Sequence, residues 1–304
     1  MRLREPRLEG SPGLECLADY GCETGENPLW HPLEKRLYWC DIPRGRIFRF
    51  DPATGLHEQC YEGRPVGGFT IQADGSLLLF MDRGAIANWR EGSLIPVLTE
   101  IEEERDSRFN DVIADPRGRV FCGTLSSGTG KGSLYRLDPD GSLCRVLGDI
   151  GCSNGMAFTR DQTGFYYTDS FARAIYIFDY NVQSGALSNQ RVFARFDESD
   201  GLPDGATLDA DGRLWSALWD GSCVAQLDGS GRIEKRVHVP VPKTSSVAFG
   251  GEDLSDMYIT TAGGDRKQEE GPLAGALFRL RTEARGLPEF LSRIQVPGQS
   301  PLAK

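Results

Sequence analysis

The chain has 304 residues, 39% of them hydrophobic, with 37 glycines, 17 prolines and a formal net charge of −10. That acidic balance excludes nucleic acid and anionic membrane as main partners, since both would repel it. Residues 1–10 are charged and lack an apolar signal-peptide core, and no run is long enough to span a bilayer, so a cytoplasmic location is expected. Eight cysteines stand at 16, 22, 40, 60, 122, 144, 152 and 223 without a Cys-x-x-Cys pair, and the histidines are only His31, His57 and His238. No zinc-type spacing follows, and the cysteines are expected to be reduced core residues.

Taken in order, the chain repeats one phrase. A polar residue or glycine heads a short apolar run; a turn and a second apolar run follow. The heads are Glu26, Gly68, Asn110, Asn154, Asp204 and Ser246, spaced by 42, 42, 44, 50 and 42 residues. Third strands are predicted over 45–50, 132–137, 174–178 and 275–280. They leave through turns such as Asp138-Pro139-Asp140-Gly141, where Asp and Gly serve positive φ or bond their own backbone. The turn Asp209-Ala210-Asp211-Gly212 is of the same kind. No stretch shows a clean helical period, and 100–106 reads as a solvated connection.

A period near forty residues with about four strands per unit predicts an all-β, six-bladed β-propeller. Residues 14–20 are expected to add a strand to the last blade and close the ring, removing an exposed edge. Residues 286–304 are expected to complete that blade and then fray. The expected domain is 12–296, with flexible termini at 1–11 and 297–304.

The first strand of each propeller blade lines the central channel, so the six heads are expected at one mouth. Glu26, Asn154 and Asp204 offer hard oxygens that suit calcium, magnesium or manganese. Arg108 and Asn110 enter the same mouth, the Arg to grip a polyol or carboxylate and the Asn to hold a hydroxyl. Gly68 is expected to leave open room on one side. Strand alternation turns Asp111 away and leaves it structural.

Three local patterns are set aside. Gly151-Cys152-Ser153-Asn154-Gly155 matches the hydrolase nucleophile elbow, but a strand continues after it where that motif needs a helix. The Asp209 and Asp138 turns match calcium loops only in their first residues. The glycines of 128–132 lack the following helix that phosphate binding requires, and are read as a flexible loop over the mouth.

In order and spacing, six motifs resemble the senescence-marker-protein/gluconolactonase family, which includes regucalcin, over about residues 14–282. They are Gly25-Glu26-Asn27-Pro28, Arg108-Phe109-Asn110-Asp111, Gly132-Ser133-Leu134-Tyr135-Arg136, Ser153-Asn154-Gly155, Pro203-Asp204-Gly205 and Phe249-Gly250-Gly251. The resemblance implies a six-bladed propeller with one divalent metal in the channel. It places metal ligands at Glu26, Asn154 and Asp204 and substrate contacts at Arg108 and Asn110. The family's usual Gly or Ser is Asn27 here. A substrate-contacting Glu of regucalcin-like members is missing near Ser127.

The expected function is metal-dependent hydrolysis of a sugar lactone, with the metal polarising the carbonyl and Asp204 as general base. The expected cofactor is one divalent ion, calcium first, with zinc, magnesium, manganese and iron as alternatives. Two other readings stay open: a non-catalytic calcium-binding regulatory or interaction propeller, and a hydrolase of another ester or a phosphotriester using the same metal site.

Overall fold

Short β-branched and aromatic runs separated by turns favour antiparallel hairpins over helices. The turn at 209–212 shows how the chemistry works. Asp209 is buried, and its carboxylate accepts the Asp211 and Arg213 backbone N–H groups at 3.0 and 2.9 Å and the Trp215 indole N–H at 2.8 Å. Gly212 takes the left-handed φ of 84° that closes the turn.

A computed structural model of the chain describes residues 10–127 and 131–299. Six four-stranded sheets result, as the repeat predicts. Blade 1 begins with the inner strand Gly25–His31, blade 2 with Val66–Ile71 and blade 3 with Phe109–Ala114. Blades 4 to 6 begin with Ser153–Phe158, Leu202–Leu208 and Thr244–Gly250. Each inner strand packs beside the next around the axis, and blade 6 returns to blade 1, which makes a six-bladed β-propeller. The long step between the fourth and fifth repeats is taken up by the ten-residue outer strand Ala186–Arg195 and a 3-10 turn at Glu198–Asp200.

The core is divided into six apolar clusters, one between each pair of neighbouring blades. A blade is covered on both faces, so inner strands such as Val66–Ile71 are buried throughout, while an outer strand such as Leu56–Glu62 is mostly exposed. Between blades 3 and 4, Phe121 is wholly buried and meets Phe165, Phe158 and Tyr180 at ring-centroid distances of 5.0, 6.1 and 6.3 Å.

The N-terminal strand Glu15–Asp19 pairs with Ala276–Arg281 and supplies the outer strand of blade 6, closing the ring as expected. The C-terminal segment departs from expectation. It does not complete blade 6, whose fourth place is already filled. Instead it crosses the hairpin turns that follow the inner strands, at the end of the channel away from the six heads. Gly286 N–H donates to Leu254 O (2.8 Å), Ser292 N–H to Ile71 O (2.8 Å) and Arg293 N–H to Gly118 O (2.8 Å).

The connection at 100–106 is also less solvated than expected. It holds a 3-10 turn, Glu102–Glu104, and the buried Glu104 accepts a hydrogen bond from Tyr135 OH at 2.9 Å. All eight cysteines are free. Five are buried, Cys60 is half-buried, and Cys16 and Cys144 are exposed on outer strands, outside the core assigned to them. Among the described residues no helix is long and apolar enough to cross a membrane. Residues 128–130 of the glycine-rich loop, and 1–9 and 300–304 of the expected flexible termini, lie outside the described residues.

If the inter-blade clusters hold the ring, Phe121→Ala should cost about 3–5 kcal/mol, as large-to-small changes in packed aromatic cores do. A chemical-denaturation series against the wild type checks it; an unchanged midpoint would contradict this account of the core.

Candidate active site at the channel mouth

Every inner strand carries a register shift at the mouth. The shifts fall between Glu26 and Leu29, Val66 and Gly68, Phe109 and Val112, Asn154 and Met156, Pro203 and Ala206, and Thr244 and Ser246. A bulge adds a residue to one strand of a pair and re-aims its side chains. Here the bulges fall at or next to the residues that head the repeats. Glu26, Asn110, Asn154 and Asp204 come together on one cavity of about 240 Å³, and Arg108 lines it too. Glycine lets neighbouring blades approach this closely. A Cβ on Gly155 would stand 2.5 Å from the Asp204 carbonyl oxygen, and one on Gly205 would run into Ser246 Oγ.

A hydrogen-bonded chain runs round the rim from blade 3 to blade 5. Arg108 Nη1 donates to Asn110 Oδ1 (2.6 Å) and to Phe109 O (2.9 Å). Asn110 Nδ2 donates to Asn154 Oδ1 and to Ser153 O, both at 2.8 Å. Asn154 Nδ2 donates to Ser170 Oγ (2.8 Å), whose hydroxyl donates to Pro203 O (2.6 Å). These partners fix which end of each amide is oxygen. Asn110, Asn154 and Ser170 are all buried, so the chain also satisfies groups that would be costly to leave unpaired.

The carboxylates are held in an unfavourable setting. Burial raises the Glu26 pKa from 4.5 to about 8, and the Asp111 carboxylate adds to the rise; the Asn27 N–H, the Arg108 guanidinium and the Ser246 hydroxyl oppose it. Burial likewise pushes Asp204 well above the ordinary carboxylate range, with Glu26 and then Asp111 contributing. Burial alone raises Asp111 to about 7. Arg108 is pulled below its ordinary value by burial, against the pull of its acidic neighbours. Glu26 and Asp204 thus share one guanidinium in a poorly hydrated space.

Comparison with known proteins gives this arrangement a context. The family model described as the SMP-30/Gluconolactonase/LRE-like region matches residues 24–263. The chain belongs to this family. It is 47% identical over 287 residues to the pentonolactonase XacC of Haloferax volcanii, covering 92% of this chain and 98% of that one. It is 33% identical over 280 residues to human regucalcin, covering 88% and 93%. A solved structure of a calcium-binding regucalcin from Agrobacterium tumefaciens superposes with a TM-score of 0.86 at 25% identity, covering 94% of this chain and 98% of that one.

Within this SMP-30/gluconolactonase chain, the cavity gathers Glu26, Arg108, Asn110, Asn154 and Asp204, the five residues singled out from the sequence. Gly68 leaves no open room: a Cβ there would meet Val112 Cγ2 at 3.0 Å and Asn27 Oδ1 at 3.6 Å. Asn27 adopts the left-handed φ of 48° and accepts the Phe69 N–H at 2.6 Å, which accounts for an Asn where Gly would also serve. Asp111 was expected to turn away. It does not line the cavity, yet its charge lies close enough to raise both Glu26 and Asp204. Ser170, Phe171, Leu202 and Trp219 also line the cavity without any sequence signal beyond their place at hairpin tops and strand ends. Ser153 is wholly buried within the strand Ser153–Phe158, where no helix follows it, so the match to the elbow motif is one of sequence only.

Among the described residues no three His, Cys, Asp or Glu side chains come together as a metal cluster. The mouth has a different donor set, two buried carboxylates and an amide oxygen. That set fits a hard divalent cation, whose charge would relieve the mutual repulsion of Glu26 and Asp204.

The raised Glu26 pKa has a definite linkage sign. Between pH 4.5 and about 8 the folded protein keeps a proton that the unfolded chain has released. The contribution of this group to stability is therefore present below about pH 4.5 and lost as pH rises through about 8. In chelator-treated protein, the stability of Glu26→Gln relative to wild type should grow in the variant's favour across that window. Denaturation midpoints of both proteins at several pH values test it, and a gap that shrinks with rising pH would contradict the assignment.

Proposed function

We propose that this protein is a sugar lactonase that hydrolyses the ring ester of an aldonolactone with a divalent cation bound at the channel mouth. The observation that carries this reading is the convergence of Glu26, Asn154 and Asp204 with Arg108 and Asn110 on one cavity. Family membership and the long, close match to a pentonolactonase support the reaction class. The cavity volume, about 240 Å³, lies below the roughly 300–1,000 Å³ of pockets that hold drug-sized ligands, and so suits a single sugar ring. We place the protein in the cytoplasm, a reading that its eight free cysteines support, and treat residues 12–296 as one functional unit.

Glu26, Asn154 Oδ1 and Asp204 are the residues that would hold the ion, calcium first among the candidates. When bound, a divalent cation supplies Lewis acidity to the lactone carbonyl. Arg108 and Asn110 hold the sugar hydroxyls or the ring ester, and the rim hydrogen bonds fix both side chains before substrate arrives. Asp204 takes the proton of the attacking water onto its carboxylate. An exposed aspartate is a weak base, but burial and the Glu26 and Asp111 charges raise its basicity. Those effects oppose the lowering that a cation imposes, which brings the group toward the working pH of a general base.

A pH-drop assay with a panel of aldonolactones tests this reading. Metal-loaded wild type should turn over at least one lactone, and chelation should abolish the turnover. Asp204→Ala should lower kcat on the order of 10²–10⁴-fold, as loss of a general base does. Asp211→Asn, on the exposed hairpin turn, should leave kcat unchanged. Turnover that survives chelation sinks the role of the cation, and full turnover by Asp204→Ala sinks that of the base.

A further inference from the structure

The cavity at the mouth is chemically two-sided. Charged, amide, hydroxyl and thiol groups fill one part of its lining; Phe171, Leu202 and Trp219 supply the large apolar side chains. Phe171 is 60% exposed, an unusual place for a phenylalanine in a chain that buries most of its aromatic rings. It is not a loose surface residue. The Asp169 carboxylate collects the backbone N–H groups of Gly151 (3.0 Å), Cys152 (3.0 Å), Phe171 (3.2 Å) and Ala172 (3.4 Å). The preceding residue, Ser170, is bonded to Asn154 and to Pro203 at 2.8 and 2.6 Å. The backbone that presents Phe171 is therefore tied to the same amide that faces the cavity.

Trp219 is held as firmly. It pairs across the strand with Leu202, and the Lys243 ammonium lies 5.3 Å from its ring centroid. That ammonium is itself fixed by Asp220 at 2.6 Å and Glu270 at 3.2 Å. Two aromatic side chains on stiff supports thus border a cavity whose remaining groups are built to hold hydroxyls and an ester.

We infer that Phe171 and Trp219 form an apolar wall that takes the C–H face of the lactone ring and sets which aldonolactones the site accepts. This inference rests on the proposed lactonase reading and deepens it. An aldonolactone carries its hydroxyls around the ring edge and leaves C–H bonds over part of each face. An aromatic wall complements the bare face, while Arg108 and Asn110 meet the edge. A hydroxyl turned toward the wall would be desolvated without a partner, so lactones that differ only at one stereocentre are separated there.

The test has a kinetic arm and a binding arm, both on the full-length protein. In the kinetic arm, Phe171→Ala should raise KM for accepted lactones by about three- to tenfold, the range expected for an aromatic stacking contact. Its kcat should stay within about twofold of wild type, the pattern of lost uniform binding. Phe171→Tyr should restore KM. Ratios of kcat/KM between epimeric lactones should narrow in Phe171→Ala. In the binding arm, titration with a non-hydrolysable 1,4-anhydro-alditol should change the tryptophan fluorescence of wild type, and the change should vanish in Trp219→Phe. An unaltered KM and epimer ratio in Phe171→Ala, or a full fluorescence change in Trp219→Phe, overturns the wall. A wild type that hydrolyses no lactone overturns the lactonase reading instead, and the anhydro-alditol titration then decides the wall alone.

Discussion

The site depends on the period of two in the inner strands. The cavity takes Thr24 and Glu26, Arg108 and Asn110, Cys152 and Asn154, and Leu202 and Asp204, residues two apart whose side chains share one side of the chain. The register shift near the head of each inner strand leaves these pairs in step and disturbs the pairing with the second strand. It also removes ladder hydrogen bonds that the sheet must replace. The replacements are specific here: the Asn27 N–H goes to Glu26 Oε2 at 3.0 Å and the Val112 N–H to Asp111 Oδ1 at 2.7 Å. The carboxylates beside the bulges thus help satisfy the backbone that the bulges disturb.

Holding two acids together in a buried place is unfavourable, and the six inter-blade cores supply the stiffness to do it. Each cluster locks one blade to the next, and the ring has no free edge through which the blades could part. The close approach at Gly155 and Gly205 adds to this, because backbone of one blade lies directly against the next. Glu26 and Asp204 therefore cannot relax outward to lower their repulsion. Protonation, a cation, or the Arg108 guanidinium must do that work, and this strain is what singles out the mouth as the candidate site.

Much of this was legible from the chain. The spacing of Glu26, Gly68, Asn110, Asn154, Asp204 and Ser246 read as six blades because each repeat buries its faces only against its neighbours. Asn154 and Asp204 were identifiable because each heads a unit beside a glycine. Asp111 was set apart from the mouth by the period of two, and it does not line the cavity; its electrostatic reach to Glu26 and Asp204 comes from burial, which no residue type announces. Ser170 and Phe171 escaped because a hairpin top has no periodicity. Their importance comes from Asp169, whose carboxylate organises two loops separated in sequence. The tail after Gly286 was assigned to blade 6 by default, since sequence order favours the nearest sheet; the N-terminal strand had already taken that edge.

The crossing tail also makes the two ends of the channel unlike each other. At the end away from the heads, Ala210 N–H donates to Arg285 O, Gly286 N–H to Leu254 O, Ser292 N–H to Ile71 O and Gln295 N–H to Pro139 O. Those bonds bind blades 5, 6, 2 and 3 to one segment, and Phe290 sets its ring edge against Phe158 of blade 4. Glu289 on the same segment is raised to about 7 by burial, with Asp111 adding to the rise. Ionisation of these carboxyl groups is therefore linked along the channel, from Glu289 on the tail through Asp111 to Glu26 and Asp204 at the mouth, where the Arg108 guanidinium opposes the rise at both.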